Sequence, residues 1–135
     1  MLKTYSGSCH CGAVRFEAEL DICTGTNKCN CSICTKMRLW SVKIRAEAFR
    51  LIDGESELTD YRGNNSVAHH VFCSHCGVRP FEWVDTPNMR GHKYYNINVA
   101  CLDGVDIEEL LAAPVIYHDG RNDNWGARPS ETRHL

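Results

Sequence analysis

Short runs of apolar residues alternate with turn-forming residues along most of the chain, a pattern that favours β-strands over long helices. Between Val14 and Glu19, apolar and charged residues alternate strictly, which predicts a strand with one buried face. Further strands are predicted at 39–44, 49–52, 67–72, 80–84 and 94–99. The Asp53-Gly54 pair predicts a hairpin turn that would join the strand before it to a partner over 58–61.

Helical periodicity is confined to one segment near the C-terminus, residues 107–112. Asp106 is placed to cap this helix, and Pro114 is placed to stop it soon after Ala113. The chain contains no internal repeat, low-complexity tract or linker-like segment. We therefore expect one mostly β domain over residues 1–135, built from antiparallel sheets with a single short C-terminal helix.

Composition and charge exclude several classes of protein. The chain has 135 residues, 43% of them hydrophobic and 24% charged, as in an average soluble domain. Its net charge of −2 offers no basic field for nucleic acid or an anionic membrane, so neither partner is expected. The first residues do not resemble a signal peptide, and no apolar run is long enough to span a membrane. We expect a cytoplasmic protein.

Cysteine is the residue whose frequency stands out, with nine in the chain. An odd number cannot pair completely within one chain, and clustered cysteines in a reducing compartment are more often metal ligands or reactive thiols than disulfides. Seven of the nine lie in three close groups, at positions 9–11, 29–34 and 73–76. The spacing therefore indicates metal binding.

The first and last groups resemble each other because each ends in Cys-Gly. Glycine permits the positive φ that lets backbone amides point at the sulfur atoms of such a turn. Two turns of this kind supply the four sulfurs of a closed tetrahedral zinc site. The predicted ligands of this structural site are Cys9, Cys11, Cys73 and Cys76. The alternative is two unconnected pairs of reduced cysteines.

The middle group, Cys29, Cys31 and Cys34, provides three sulfurs within six residues and no fourth cysteine alongside. Catalytic zinc sites usually keep three protein ligands and one exchangeable position, whereas structural sites have four. The group therefore predicts a second zinc ion in an open, catalytic site. The alternative is a second closed site, with a fourth ligand from Cys23, Cys101 or a histidine.

The charge of three thiolates limits the chemistry expected at that second site. Three thiolates and Zn²⁺ carry a net charge of −1, which makes the ion a weak Lewis acid for activating water. Binding an incoming thiol as thiolate suits such a soft site better. A bound thiolate is a nucleophile toward an electrophilic carbon, so addition of a thiol to an aldehyde, or its reverse, is the predicted reaction class.

Three motifs carry a family resemblance: GSCHCGAVRFE at 7–17, CNCSICTK at 29–36 and FCSHCG at 72–77. Together they resemble the glutathione-dependent formaldehyde-activating enzyme family, which includes centromere protein V, and the chain is similar to its short bacterial-type members. The resemblance implies a β-tent, zinc-ribbon-like fold with two zinc ions and the ligand sets given above. It also implies a carbon–sulfur lyase that forms S-hydroxymethylglutathione from formaldehyde and glutathione.

Several residues outside the seven cysteines have both a functional and an ordinary interpretation. Cys23 and Cys101 match no ligand position and are expected to be small buried hydrophobic residues. His69 and His70 should point to opposite faces of a strand, where one of them is a candidate base or an ordinary strand residue. The segment 119–125 either lines the second zinc site or forms a surface turn. Three basic residues are candidate contacts for glutathione carboxylates or ordinary surface charges: Lys36, Arg38 and Arg62.

Two functions from different classes follow from these patterns. The first is a zinc-dependent enzyme that acts on an adduct of an aldehyde with a small thiol such as glutathione. The second is a non-catalytic zinc module that binds protein or nucleic acid, which the acidic balance disfavours because phosphate binding needs clustered basic residues. Zinc-dependent deamination is also disfavoured, since the H-x-E and P-C-x-x-C elements are absent.

Overall fold

The computed structural model describes residues 1–63, 67–86 and 92–135, and within them it contains ten strands and two short α-helices. The strands are β1 Lys3–Ser8, β2 Arg15–Leu20, β3 Thr26–Cys29, β4 Ser41–Arg45, β5 Phe49–Asp53, β6 Leu58–Tyr61, β7 Ala68–Cys73, β8 Phe81–Thr86, β9 His92–Asn98 and β10 Val115–His118. The helices are α1 Ser32–Met37 and α2 Ile107–Ala112. The prediction of a mostly β protein is confirmed.

These strands form two sheets. The larger sheet has the order β10-β3-β4-β9-β8-β7-β6, and the smaller one has the order β1-β2-β5. All neighbouring strands are antiparallel except β10 and β3, which are parallel. The parallel pair matters for function because it places the end of β10 beside the end of β3, where His118 and Cys29 are register partners.

Strand β2 shows how the sequence pattern produces the fold. Three apolar residues are no more than 1% exposed: Val14, Phe16 and Ala18. The charged residues that alternate with them include Arg15 and Glu19, which face solvent. This alternation buries one face of the strand, as predicted, because successive side chains point to opposite sides of a sheet. Phe16 then lies on the inner face of the smaller sheet.

The two sheets are joined through a cluster of aromatic rings. Phe49 of the smaller sheet stacks on Tyr95 of the larger one, with ring centroids 4.0 Å apart. Phe16 meets Phe81 edge to face at 5.5 Å. Such pairs add to the free energy gained from burying the rings. The core therefore lies between the inner faces of the sheets, and the cysteine turns lie at their ends.

The prediction of a hairpin at Asp53-Gly54 is wrong, because β5 and β6 belong to different sheets. β5 pairs with β2, and β6 pairs with β7. Gly54 does adopt a positive φ of 92°, but a Cβ there would lie 2.2 Å from the carbonyl oxygen of Ala13. The turn is thus packed against the first cysteine group, and the helical turn Glu55–Glu57 then leads the chain to the other sheet.

The predicted helix is confirmed at Ile107–Ala112, and the Asp106 side chain caps it by accepting a hydrogen bond from the Glu108 amide at 3.0 Å. Helix α1 was not predicted, since its sequence SICTKM has no helical apolar period. It ends at Met37, and the next residue, Arg38, adopts a left-handed conformation with φ 51°. Neither helix of the described chain has the length and apolar character needed to cross a membrane.

Candidate metal centres

The structure brings the first and last cysteine groups together into one cluster, which we call the first centre. The sulfur atoms of its four cysteines all lie within 4.8 Å of one another. Cys11 Sγ lies 3.7 Å from both Cys9 Sγ and Cys73 Sγ. A tetrahedral zinc ion with bonds of about 2.3 Å requires sulfurs about 3.8 Å apart, so the cluster fits this ion. Cys76 completes the set.

Two turns of similar construction supply these sulfurs. The glycine that ends each turn has a positive φ, 80° at Gly12 and 73° at Gly77, as predicted. The amide of the first cysteine in each turn donates to the carbonyl five residues later, at 3.0 Å for Cys9 and 2.9 Å for Cys73. The Val14 amide donates to Cys9 Sγ at 3.3 Å. The backbone therefore points N–H groups at the sulfurs.

Backbone dipoles also favour the deprotonated thiol that metals bind. The amides of Cys11 and Val78 donate to the Cys76 sulfur and lower the pKa of this thiol to about 6. A hydrogen bond to the charged form of a group stabilises that form. The turn thus stabilises a thiolate at the position where a metal ligand is required.

The middle group forms the second centre, in which Cys29, Cys31 and Cys34 lie within 4.8 Å of one another. Cys29 ends β3, Cys31 precedes α1, and Cys34 lies in its first turn. The Cys31 amide donates to Cys29 Sγ at 3.3 Å. Hydrogen bonds with the Cys29 and Cys34 thiols, and from the amides of Cys34 and Ile33, hold the pKa of Cys31 well below its usual range.

In residues 1–63, 67–86 and 92–135, no fourth cysteine, histidine or carboxylate joins the second centre at this spacing. Cys101 is buried, as expected, and its thiol faces the carbonyl oxygen of Arg79 at 3.7 Å. Cys23 lies in the helical turn Ile22–Thr24 and is exposed, so the prediction that it is buried is wrong. Neither cysteine supplies the fourth ligand of a closed site.

His118 is the histidine that lies directly beside the second centre, as the register partner of Cys29. Both of its ring nitrogens are already engaged. Nδ1 lies 2.8 Å from the carbonyl oxygen of Trp125, and Nε2 lies 2.8 Å from Asn27 Oδ1. His118 would have to break one of these bonds to bind a metal, so it acts here as a support for the surrounding loops.

Asn30, which lies between two cysteines of the second centre, was not singled out from the sequence. It is only 7% exposed and makes four hydrogen bonds, one to the last residue of β10 and three to the segment that follows it. Its amide donates to His118 O at 3.2 Å, and its Nδ2 donates to Asp119 Oδ1 at 2.7 Å. Its two oxygens accept from Arg121, Oδ1 from the amide at 2.9 Å and O from Nε at 3.2 Å.

The same segment lies directly against a sulfur of the second centre. A Cβ on Gly120 would be 2.6 Å from Cys29 Sγ and 2.5 Å from Cη2 of Trp125. Only a residue without a side chain fits between the sulfur and the indole ring. Of the two interpretations of 119–125, the structure therefore supports the one in which the segment lines the second centre.

His69 and His70 point to opposite faces of β7 and belong to neither cysteine cluster. The ring nitrogens of His69 contact Asp60 Oδ2 at 2.6 Å and Asp85 Oδ2 at 2.9 Å. His70 is buried with Nδ1 2.7 Å from Glu82 Oε2. Both histidines have polar partners within the sheet, which agrees with their ordinary interpretation as strand residues.

Comparison with known proteins identifies the family. The family model described as "Glutathione-dependent formaldehyde-activating enzyme" matches residues 4–118. The chain belongs to this family. It is 35% identical over 78 residues to a Halomonas elongata protein named "Putative glutathione-dependent formaldehyde-activating enzyme". That match covers 52% of this chain and 50% of the relative, so the chain spans about half the length of the curated relative.

A solved structure has the same fold as this chain. The crystal structure of a Rhodobacter sphaeroides protein matches with a TM-score of 0.65 and 31% sequence identity. The match covers 82% of this chain and 99% of the other. The β architecture described above is therefore also found in an experimentally determined structure.

Proposed function

We propose that the chain binds two zinc ions and acts as a carbon–sulfur lyase or synthase on the adduct of glutathione with formaldehyde. The first centre is the structural site, and the second centre is the catalytic site. The observation that carries the proposal is the second centre itself, three converging cysteines with no fourth protein ligand among the described residues, in a member of this family. We further propose that residues 1–135 form one β-tent zinc domain that works in the cytoplasm.

Both centres have the donor chemistry that zinc prefers, and the sulfur spacing of the first centre fits tetrahedral coordination. Zinc bound at the second centre would hold an incoming thiol in its thiolate form, which is the nucleophile for the aldehyde carbon. The first centre has four protein ligands and is assigned a role in folding, whereas the second has three and is assigned a role in the reaction. All seven cysteines are therefore assigned as ligands.

The chain's own residues would prepare the second centre for a substrate. The Cys31 amide donates to Cys29 Sγ, and the four bonds of Asn30 fix the loop that carries Cys29 and Cys31. The indole of Trp125 lies beside Gly120 and forms an apolar wall near Cys29. A substrate held by such fixed groups reacts faster because its reacting atoms are already oriented.

Metal analysis tests the zinc assignment. We expect two zinc ions per chain in the purified protein and one in a folded Cys34→Ser variant, because this substitution removes one of only three sulfurs of the second centre. Cys101→Ser is the matched control, since Cys101 is a buried cysteine outside both clusters. A folded wild-type chain with one ion or none would refute the two-site assignment.

The reaction itself is tested by the rate at which formaldehyde and glutathione interconvert with their adduct, measured by NMR exchange at equilibrium. The zinc-loaded chain should accelerate exchange, and the Cys34→Ser variant should not. If two zinc ions are bound but exchange is not accelerated, the chain is not an enzyme for this adduct. The non-catalytic zinc module would then be the better description.

A further inference from the structure

Arg121 is a basic residue held by Asn30, which lies in the loop that carries the cysteines of the second centre. Its amide and its Nε donate to the two oxygens of Asn30, at 2.9 Å and 3.2 Å. Asn30 is itself buried, so Arg121 is anchored to a fixed group although its own side chain is exposed. Among the described residues, the two terminal Nη groups of Arg121 have no hydrogen-bond partner.

These contacts place the guanidinium close to the sulfurs. Asn30 O, which accepts from Nε, belongs to the same planar peptide as the Cys31 amide, which donates to Cys29 Sγ. The chain of contacts limits the distance from Arg121 Nε to this sulfur to about 9 Å. A thiol bound at the second centre would therefore have Arg121 within reach of a polar group a few bonds from its sulfur.

The charge of the second centre explains why such a cation is needed. Three thiolates and one Zn²⁺ leave a net charge of −1, which repels an anionic ligand. A guanidinium with two parallel free N–H donors offsets this repulsion and matches the geometry of a carboxylate. Other basic residues are less well placed. Lys28 and Arg38 donate to main-chain oxygens of Leu135 and His134, and Lys36 on α1 has no hydrogen bond to another described residue that would fix it.

We propose that Arg121 is a binding residue that holds a carboxylate of the thiol substrate, so that the second centre selects thiols carrying a carboxylate. Nε and the backbone amide fix the side chain on Asn30, and the Nη groups face the ligand. The inference rests on the proposed function, because it requires a thiol at the second centre. It adds the class of thiol that the site accepts.

The test compares two thiols that differ only in their carboxylates, glutathione and its diethyl ester. Each is titrated into the cobalt-loaded chain, and the dissociation constant is read from the thiolate-to-cobalt absorption band. The preference for glutathione, taken as the dissociation constant of the ester divided by that of glutathione, should be about tenfold larger in the wild type than in Arg121→Gln, a difference of about 1.4 kcal/mol. The ester should bind both proteins alike.

Arg128→Gln is the matched control because it removes the same charge from the same region. Arg128 is exposed, stacks over the ring of Tyr117 at 4.6 Å and donates to Thr132 Oγ1 rather than to Asn30. This variant, like Lys36→Gln, should keep the wild-type preference. Arg121→Lys keeps the charge but cannot form the anchored guanidinium pair, so it should lose most of the preference.

Two results would overturn the inference in distinguishable ways. If both thiols bind and Arg121→Gln weakens them equally, or changes neither, then Arg121 does not recognise a carboxylate, while the proposed function stands. If neither thiol changes the cobalt spectrum of the wild type, the second centre does not bind thiols, and the proposed function fails together with this inference.

Discussion

Gly120 provides the most specific test of how the second centre is built, because its Cα is packed between a sulfur and an indole ring. In Gly120→Ala, the new Cβ would lie 2.6 Å from Cys29 Sγ, 2.5 Å from Trp125 Cη2 and 2.6 Å from Trp125 Cζ3. Normal contacts between such atoms are about 3.5–4.0 Å. The substitution therefore forces a displacement of about 1 Å in the sulfur, the ring or the loop.

The cost depends on which of these groups can move. Trp125 is 53% exposed, so its ring can swing toward solvent, which relieves two of the three contacts. Cys29 is fixed at the end of β3, so the contact with its sulfur remains. Overpacking of this kind costs about 1–3 kcal/mol. For a chain of 135 residues this corresponds to a fall in melting temperature of roughly 3–11 °C.

The assay measures thermal unfolding together with zinc affinity in competition with a chelator. Gly120→Ala should weaken binding of one zinc ion about 10–100-fold and leave the other unchanged, as expected for a group that supports a metal ligand. Gly126→Ala is the control in the same loop, since nothing lies within 4 Å of its added Cβ. Adding Trp125→Ala to Gly120→Ala should restore only part of the affinity. Wild-type zinc affinity in Gly120→Ala would refute this packing argument.

Three further predictions concern the two centres and the turn beside them. Cys76→Ser should unfold the chain, because the free energy of zinc binding at the structural site contributes to folding, whereas the Cys34→Ser chain should stay folded. Equal melting temperatures of the two variants would contradict this division between the centres. Asn30→Ala should weaken the affinity for one zinc ion about 10–100-fold in competition with a chelator, because the substitution frees the cysteine loop. Loss of both zinc ions would refute this local role of Asn30. Gly54→Ala should destabilise the chain in urea by about 1–3 kcal/mol more than Gly104→Ala. Both glycines have positive φ, but only Gly54 abuts backbone, so equal losses would exclude the clash.

The cysteine clusters were predictable from the sequence because their information is local. Two cysteines followed by glycine within five residues define a turn that points sulfurs one way, and the structure shows that turn twice. The alternation in β2 was likewise readable, since one residue in two is buried. In both cases a short stretch of chain determines the geometry.

The features that the sequence did not reveal depend on contacts between distant segments. Asn30 looks like an ordinary loop residue until β10 pairs with β3 and brings Asp119 and Arg121 onto it. That parallel pairing leaves no periodic signal in either short strand. The hairpin at Gly54 failed for a related reason, since the contact with Ala13 comes from 41 positions earlier in the chain.

The central claim is that the second centre is a zinc site with a position for a thiol ligand. The direct measurement is the absorption spectrum of the chain with cobalt in place of zinc, recorded during titration with glutathione. Our account predicts that a thiolate-to-cobalt charge-transfer band grows until one thiol is bound per chain, and that Cys34→Ser abolishes this growth. A spectrum that glutathione leaves unchanged, in a chain carrying two cobalt ions, would contradict the claim.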